Sequence, residues 1–399
     1  MMKTKKTIQP IGKYLRELSI VVAGVATTVG LGFWIITIIS FLLLSCSKTE
    51  QGELLEIPID IHQNSSLPLS EIAEEITAIE LELTNESLIN SSYIEGVIAS
   101  EDNLIIADLN KVFVFSKDGK FIRSIGSRGQ GPGEYNYIQN MAIDEKNKRL
   151  FIISSPDRKI ISYDLNGNSS KGISAPWGYP EGINYINEEL WILCDKFAED
   201  SNGLYSNTAL YRLDDDLRAV DSCTVRNLYL EGITGGYIYG RGAGDFILKG
   251  GKSVYLYYGN FILDINRWKD RSAEKISCDT LYQFRNNYLI PELTLKFKND
   301  EISKFIVVLN IYRSSRYIFA VYRNDNDHKL YYFCYDTKTG KGYNMQGGYI
   351  DDINQIEDRV MIRPSNNLGT EMFYYLHTNM KPDDKEEPNP TLYIGKLKK

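Results

Sequence analysis

The sequence predicts an all-β fold, a six-bladed β-propeller of four-stranded antiparallel blades closed by an N-terminal strand, on three observations. A β-meander recurs along the chain, hairpin-turn dipeptides punctuate the copies at matching places, and a strand-like segment near each end lacks partners of its own. The 399 residues are 43% apolar and 24% charged, which excludes a disordered or collagen-like chain and leaves ample material for a core. A net charge of -7, from 45 Lys and Arg against 52 Asp and Glu, excludes a protein built around nucleic acid.

The N-terminus reads as an export signal. Lys3, Lys5, Lys6, Lys13 and Arg16 stand against Glu17 alone, and no charge follows until Lys48. That uncharged run exceeds the ordinary secretory core of 7 to 15 residues and approaches the roughly 20 needed to span a bilayer, so a membrane helix is the competing reading. Leu43, Leu44 and Ser45 before Cys46 resemble the lipobox of bacterial lipoproteins, in which the cysteine thiol takes the lipid. The expected organisation is a signal peptide over 1–45, lipidation at Cys46, a polar tether over 46–53 and one propeller domain over 54–399. More than one acyl chain on Cys46 would give durable anchoring. Cys194, Cys223, Cys278 and Cys334 lie in apolar strand-like stretches and are read as buried free thiols rather than bridges.

The repeat is clearest from Leu104 to Gly126 and from Leu150 to Ile173. Each copy runs strand, polar turn, strand, turn, strand, with Asp118-Gly119 and Asn166-Gly167 supplying residues that tolerate positive φ. Further copies run from Leu190 to Cys223 with Asp214 to Asp216 as a turn, from Phe246 to Cys278, from Phe305 to Tyr343 with Thr339-Gly340 as a turn, and from Gln355 onward. The last copy is short of one strand, so Thr77–Leu83 is expected to pair with Thr391–Leu397 and close the ring, removing two exposed edges. Leu368–Met380 has nearly helical apolar spacing and predicts a short helix, and Pro382–Pro390 predicts a solvated loop.

Gly129-Gln130-Gly131-Pro132-Gly133-Glu134-Tyr135, after a strand ending Ser124-Ile125-Gly126, resembles the six-bladed β-propeller lipoproteins of Gram-negative gut bacteria, with NHL-like repeats. Leu67–Ile72, Glu80–Ile89 and Asn389–Leu392 are similar to that family's leading and closing segments. The resemblance spans about residues 54 to 399. It implies the propeller fold and a lipid anchor, and it transfers no catalytic residue.

Little in the chain carries chemistry by itself. Three histidines, His62, His328 and His377, are widely separated, and Cys-x-x-Cys, Gly-x-Ser-x-Gly and P-loop patterns are absent. Gly240–Gly244 lacks the strand-then-helix context of a phosphate loop. Asp108, Asp144, Asp195, Asp245 and Asp264 end predicted strands and read as turn residues, with a calcium site as the alternative. The loops between successive blades, 127–137, 175–185, 226–245 and 284–300, should gather at one mouth of the channel. They hold Arg128, Glu134, Tyr135, Tyr137, Trp177, Tyr179, Glu181, Tyr229, Tyr237, Tyr239 and Arg241. Flat rings among Arg and Glu suit a protein or glycan partner, although the Gly-Pro-Gly run also suits a tight inter-blade turn with Glu134 capping amides. The expected function is a non-catalytic binding module without a cofactor, held by its lipid at the outer membrane on the periplasmic face or the cell surface. The alternative is a calcium-dependent lyase or lactone hydrolase of the NHL or gluconolactonase-like propeller type.

Overall fold

A computed structural model describes residues 54–231, 237–240, 246–263, 279–298, 306–365, 367–378 and 388–399. The expected signal peptide, Cys46, Cys278, Arg241, Asp245 and Asp264 lie outside them. Two strands precede the first repeat, β1 (Leu55–Ile59) and β2 (Ala73–Glu80). Sheet I then forms from β3 (Ile94–Ala99), β4 (Asn103–Asp108), β5 (Val112–Ser116) and β6 (Phe121–Ile125). Sheet II follows as β7 (Tyr137–Asp144), β8 (Arg149–Ser155), β9 (Lys159–Asp164) and β10 (Ser169–Ser174). Sheet III is β11 (Tyr179–Ile186), β12 (Glu189–Glu199), β13 (Gly203–Leu213) and β14 (Ala219–Glu231). Each is an antiparallel meander, and Gly119 and Gly167 take φ of 85° and 96° in the predicted hairpin turns.

After β15 (Tyr237–Gly240), sheet IV contains β16 (Ile247–Gly250) and β17 (Ser253–Leu256). β18 (Asn260–Leu263) leaves the sheet to pair with β15, and β19 (Thr280–Arg285) and β20 (Tyr288–Phe297) complete it. Sheet V is β21 (Ile306–Arg313), β22 (Tyr317–Asn324), β23 (Lys329–Asp336) and β24 (Lys341–Gln346). A hairpin of β25 (Tyr349–Asp351) and β26 (Ile356–Val360) leads to β27 (Arg363–Ser365), β28 (Gly369–His377) and β29 (Thr391–Leu397), which with β2 make sheet VI.

The sheets pack face to face through separate apolar clusters. Ile105, Ile125, Met141 and Ile152 fill the space between sheets I and II; Ile153, Ile160, Ile183 and Ile192 fill that between II and III. Trp191, Leu210, Ile247 and Leu256 join III to IV, and Leu281, Leu293, Ile311 and Tyr322 join IV to V. Tyr317, Phe319, Phe373 and Tyr375 join V to VI. A further cluster of Val97, Leu104, Phe113, Tyr374 and Leu392 joins sheet VI back to sheet I. Because both faces of these sheets are covered, strands such as Leu104–Asp108 read as continuous apolar runs rather than alternating ones. The architecture is all-β and propeller-like.

The structure changes four sequence-based expectations. Leu368–Met380 is not a helix: β28 occupies Gly369–His377, with Phe373 and Tyr375 in the V–VI core and Tyr374 in the VI–I core. Burial on both faces makes its apolar spacing mimic a helix. The N-terminal strand is Ala73–Glu80 rather than Thr77–Leu83; it pairs antiparallel with β29, Thr77 opposite Ile394. Beyond Glu80 the chain turns to sheet I, where Glu82 N–H donates to Gly119 O at 2.9 Å and Glu82 Oε2 accepts from Phe121 N–H at 2.8 Å. β1 was not anticipated. It adds in parallel to β20, burying Ile57 and Ile59, and its Pro58 is tolerated because the strand is at an edge. Finally, strands claim much of the presumed loops at 226–245 and 284–300, since β14 reaches Glu231 and β20 reaches Phe297. Cys194 and Cys334 are buried free thiols, and Cys223 is a half-buried one.

Candidate functional site

The first strands of neighbouring sheets stand side by side: β3 against β7, β7 against β11, β11 against β16, β16 against β21, and β27 against β3. They surround a cavity of about 790 Å³ lined from β3, β7, β11, β21 and β27, with further residues from β22 and β23. β27 is only three residues long, and beside it the wall is made by Met361, Leu330 and Tyr332.

Four of these first strands carry a β-bulge at the corresponding place. The extra residue lies between Ile94 and Gly96 in β3, between Ile138 and Asn140 in β7, between Pro180 and Gly182 in β11, and between Val308 and Asn310 in β21. A bulge re-aims one side chain out of the pleat. Here the bulged residues are Glu95, Gln139, Glu181 and Leu309, and all four line the cavity. The Gln139 Oε1 atom is buried with no hydrogen-bond partner among the described residues. Asn140, the neighbour of one bulge, accepts the Ile183 N–H at 2.7 Å and ties β7 to β11.

Behind Glu181 lies a second polar group at the contact between sheets III and IV. Asp195, Thr208 and Arg226 face one another across β12, β13 and β14. Asp195 is 1% exposed; its Oδ2 accepts from the Tyr258 hydroxyl at 2.7 Å, and the Arg226 guanidinium lies 5.6 Å from the Tyr258 ring centre. Burial pushes the Asp195 carboxyl up, opposed by the Thr208 and Tyr258 hydroxyls and the Arg226 charge. Burial, with the Asp195 charge nearby, raises Glu181 to about 8. Glu181 therefore carries a proton at neutral pH and is able to donate as well as accept.

This has a measurable consequence. Between the ordinary carboxylate range and about pH 8 the folded state holds a proton that the unfolded chain releases, so Glu181 lowers stability as pH rises through that window. Glu181→Gln should melt close to wild type at pH 5 and above it at pH 9, by on the order of 2 kcal/mol after discounting for partial exposure. Thermal melts across pH test this; a gap that stays the same at both ends would refute the raised carboxyl.

Among the described residues, Glu181 is the one binding candidate from the sequence that lines the cavity, and it does so from a strand; His328, set aside as a metal ligand, lines it too. The Gly-Pro-Gly-Glu-Tyr run packs between sheets I and II. Glu134 Oε2 accepts the Gly131 N–H at 2.8 Å, and Lys159 Nζ donates to Gly131 O and Glu134 O at 3.0 and 2.9 Å. Tyr135 is fully buried and donates to Ile125 O at 3.2 Å. Gly126, at φ 65°, leaves the room its ring needs, since a Cβ there would meet Tyr135 at 2.8 Å. Arg128 is exposed, donating to Tyr137 Oη at 2.7 Å and to Asn110 Oδ1 at 3.2 Å. Trp177 stacks on Tyr211 at 5.4 Å, and the Tyr179 hydroxyl shares a 2.7 Å hydrogen bond with Ser155. Tyr229 is exposed on β14; of Tyr237 and Tyr239 only the backbone, in β15, is described. Asp108 and Asp144 are turn residues: Asp108 accepts from Asn110 and Lys111 N–H, and Asp144 accepts from Asn147 N–H. Among the described residues no group of three or more His, Cys, Asp or Glu is arranged to hold a metal ion.

Glu95, Gln139 and the Asp195–Tyr258 pair were missed by sequence reasoning. A signal for the first two exists in hindsight: Ile94-Glu95-Gly96-Val97, Ile138-Gln139-Asn140-Met141, Pro180-Glu181-Gly182-Ile183 and Val308-Leu309-Asn310-Ile311 share one pattern, a variable residue before Gly or Asn inside a strand. The Asp195–Tyr258 contact joins two sheets and has no local signature.

Together, the stacked meanders and the cavity at their first strands define an all-β, propeller-like protein with a cavity among its sheets. The chain belongs to the family described as domain of unknown function DUF4934, which matches residues 54–398. No curated protein matches it. Among solved structures it is similar to a Bacteroides fragilis protein described as exported, at 15% identity and a TM-score of 0.60, over 87% of this chain and 100% of that one. It also matches a DUF4221 family member from Bacteroides vulgatus at 11% identity and a TM-score of 0.40, over 84% and 99% of the two chains. A protein of unknown function from Bacteroides caccae matches at 11% identity and a TM-score of 0.37, over 73% and 90%.

Proposed function

We propose that the protein is a lipid-anchored, six-bladed β-propeller of the cell envelope that binds a protein or glycan ligand at its channel without transforming it. The observation that carries the reading is the cavity of about 790 Å³ at the first strands, within the roughly 300–1,000 Å³ of small-molecule sites and lined by aliphatic side chains and tyrosines together with polar and charged groups. The β2–β29 pairing and the core joining sheet VI to sheet I support a closed ring. The basic, then apolar, N-terminus ending in Leu43-Leu44-Ser45-Cys46 supports export and lipidation, and the exported Bacteroides fragilis protein of similar fold agrees with a place outside the cytoplasm.

A thermal-shift panel on the full chain, with peptides, glycans, calcium and EDTA as separate arms, tests the binding reading. A ligand present at one hundred times its dissociation constant should stabilise the fold by about 2.7 kcal/mol, and it should be recovered chemically unchanged. A flat response to every peptide and glycan would overturn the reading. Stabilisation by calcium that EDTA reverses, with turnover of the bound molecule, would replace it with catalysis.

A further inference from the structure

We infer that the cavity is a saccharide site, in which the three bulged residues Glu95, Gln139 and Glu181 on successive sheets hold the hydroxyl edge of a sugar ring and Leu309 with the cavity tyrosines holds its C–H face. The inference deepens the channel-binding reading and rests on it.

The bulges are the main ground. Each costs a ladder hydrogen bond, yet three neighbouring sheets repeat it at the same place and each directs a carboxyl or amide into the same space. Carboxyl and amide groups both accept from and, when protonated or as NH2, donate to hydroxyls, which is the pairing a polyol edge offers. Gln139 Oε1 is already desolvated and lacks a partner among the described residues, so a ligand hydroxyl would satisfy it. Glu181, protonated at neutral pH, adds a donor. The fourth bulge, on sheet V, presents Leu309, and Tyr312 and Tyr332 stand beside it. Leu309 and these rings thus offer apolar surface beside hydrogen-bonding groups, and sheet V adds Asn310 to the latter; the mixture matches a pyranose, which has a polar rim and apolar faces.

Two observations favour a sugar over the other ligand classes. The first strands would otherwise offer free edges for an extended peptide, but bulges disrupt an edge against added strands. Of the two arginines lining the cavity, Arg323 donates through Nε to Asp325 Oδ1 at 2.6 Å and Arg363 through Nη1 to Ile94 O at 3.4 Å, so both guanidiniums are engaged, and the carboxyls of Glu95 and Glu181 share the space, which disfavours an anionic ligand.

Isothermal titration of the full chain with glucose, galactose, mannose, N-acetylglucosamine, maltose, cellobiose and lactose tests the inference, with Gln139→Leu, Glu181→Leu and the surface control Tyr229→Ala beside the wild type. At least one of these sugars should bind, and each cavity variant should weaken it about tenfold or more, the loss of one hydrogen bond left without a partner. Tyr229→Ala should bind as wild type, and melting curves confirm that all variants fold. Sugar binding that survives both cavity substitutions would overturn the placement. Binding of a short peptide and of none of these sugars would overturn the ligand class while leaving the channel-binding reading intact. Silence from sugars and peptides alike would remove both.

Discussion

Deleting Thr391–Lys399 should leave a chain that does not fold in soluble form, while deleting only Lys398–Lys399 should leave one that does. β29 is an interior strand of sheet VI, hydrogen-bonded to β28 on one side and to β2 on the other. Its loss frees two strand edges at once, and free edges invite aggregation. It also removes Leu392 from the VI–I core and Tyr393 and Leu397 from the V–VI core, all nearly fully buried. Large-to-small changes at such positions cost about 2–5 kcal/mol each, and a typical domain holds only about 5–15 kcal/mol in total. The last two lysines contribute surface contacts only, Lys398 N–H to Ile72 O at 2.8 Å and Lys398 Nζ to Ser70 O at 2.7 Å. Soluble yield and calorimetry decide the matter. A monodisperse chain lacking residues 391–399 that melts cooperatively near the full-length temperature would show that the β2–β29 pairing holds nothing together.

Cys46→Ala should end the protein's labelling by radioactive palmitate, which the wild type takes up. The proposal gives the mature chain no other hold on the bilayer: the basic and apolar segment is removed, and the remaining chain is acidic. A single acyl chain binds a membrane only marginally, whereas a diacylglyceryl cysteine with an amide-linked chain anchors durably, so the effect of losing the acceptor thiol is nearly all-or-none. Among the described residues no helix is long and apolar enough to cross a membrane. Fractionation with and without carbonate washing, beside the palmitate label, separates the outcomes. Wild-type protein that stays in the washed membranes without taking the label would mean that residues 18–47 remain as a spanning helix, and the lipoprotein reading would fail.

Much of the architecture was legible because it is local. Gly119 and Gly167 sit where a two-strand turn needs positive φ, and the runs between them are too short and too β-branched for helices. The terminal pairing was legible for a related reason: a lone strand at each end of a repeat array has only the other to satisfy it. β28 was misread because its partners cover both faces, which erases the period-two signal that marks a strand. β1 was missed because five residues around a proline carry almost no pattern of their own.

The candidate site divides along the same line. The loop residues chosen for their aromatic and charged chemistry turn out to have local duties: Glu134 caps an amide, Tyr135 fills the space between two sheets, and Trp177 stacks on Tyr211. Single-residue chemistry cannot distinguish such roles from binding, since a tyrosine buried against a glycine and one facing a ligand look alike in sequence. Glu181 was picked for its place near Trp177 and Tyr179, and its bulge in β11 is what brings it into the cavity.

By itself the sequence determined the meander repeat, the turns, the acidic character and the basic, apolar N-terminus, because each depends on residues within one hairpin or one short run. Only the tertiary structure decided which side chains share the cavity and why Glu181 keeps its proton. Those outcomes depend on stacking one sheet on the next: Glu181 comes under the charge of Asp195, which Tyr258 holds by a hydrogen bond from the neighbouring sheet, and Glu95, Gln139 and Glu181 converge only once β3, β7 and β11 stand side by side.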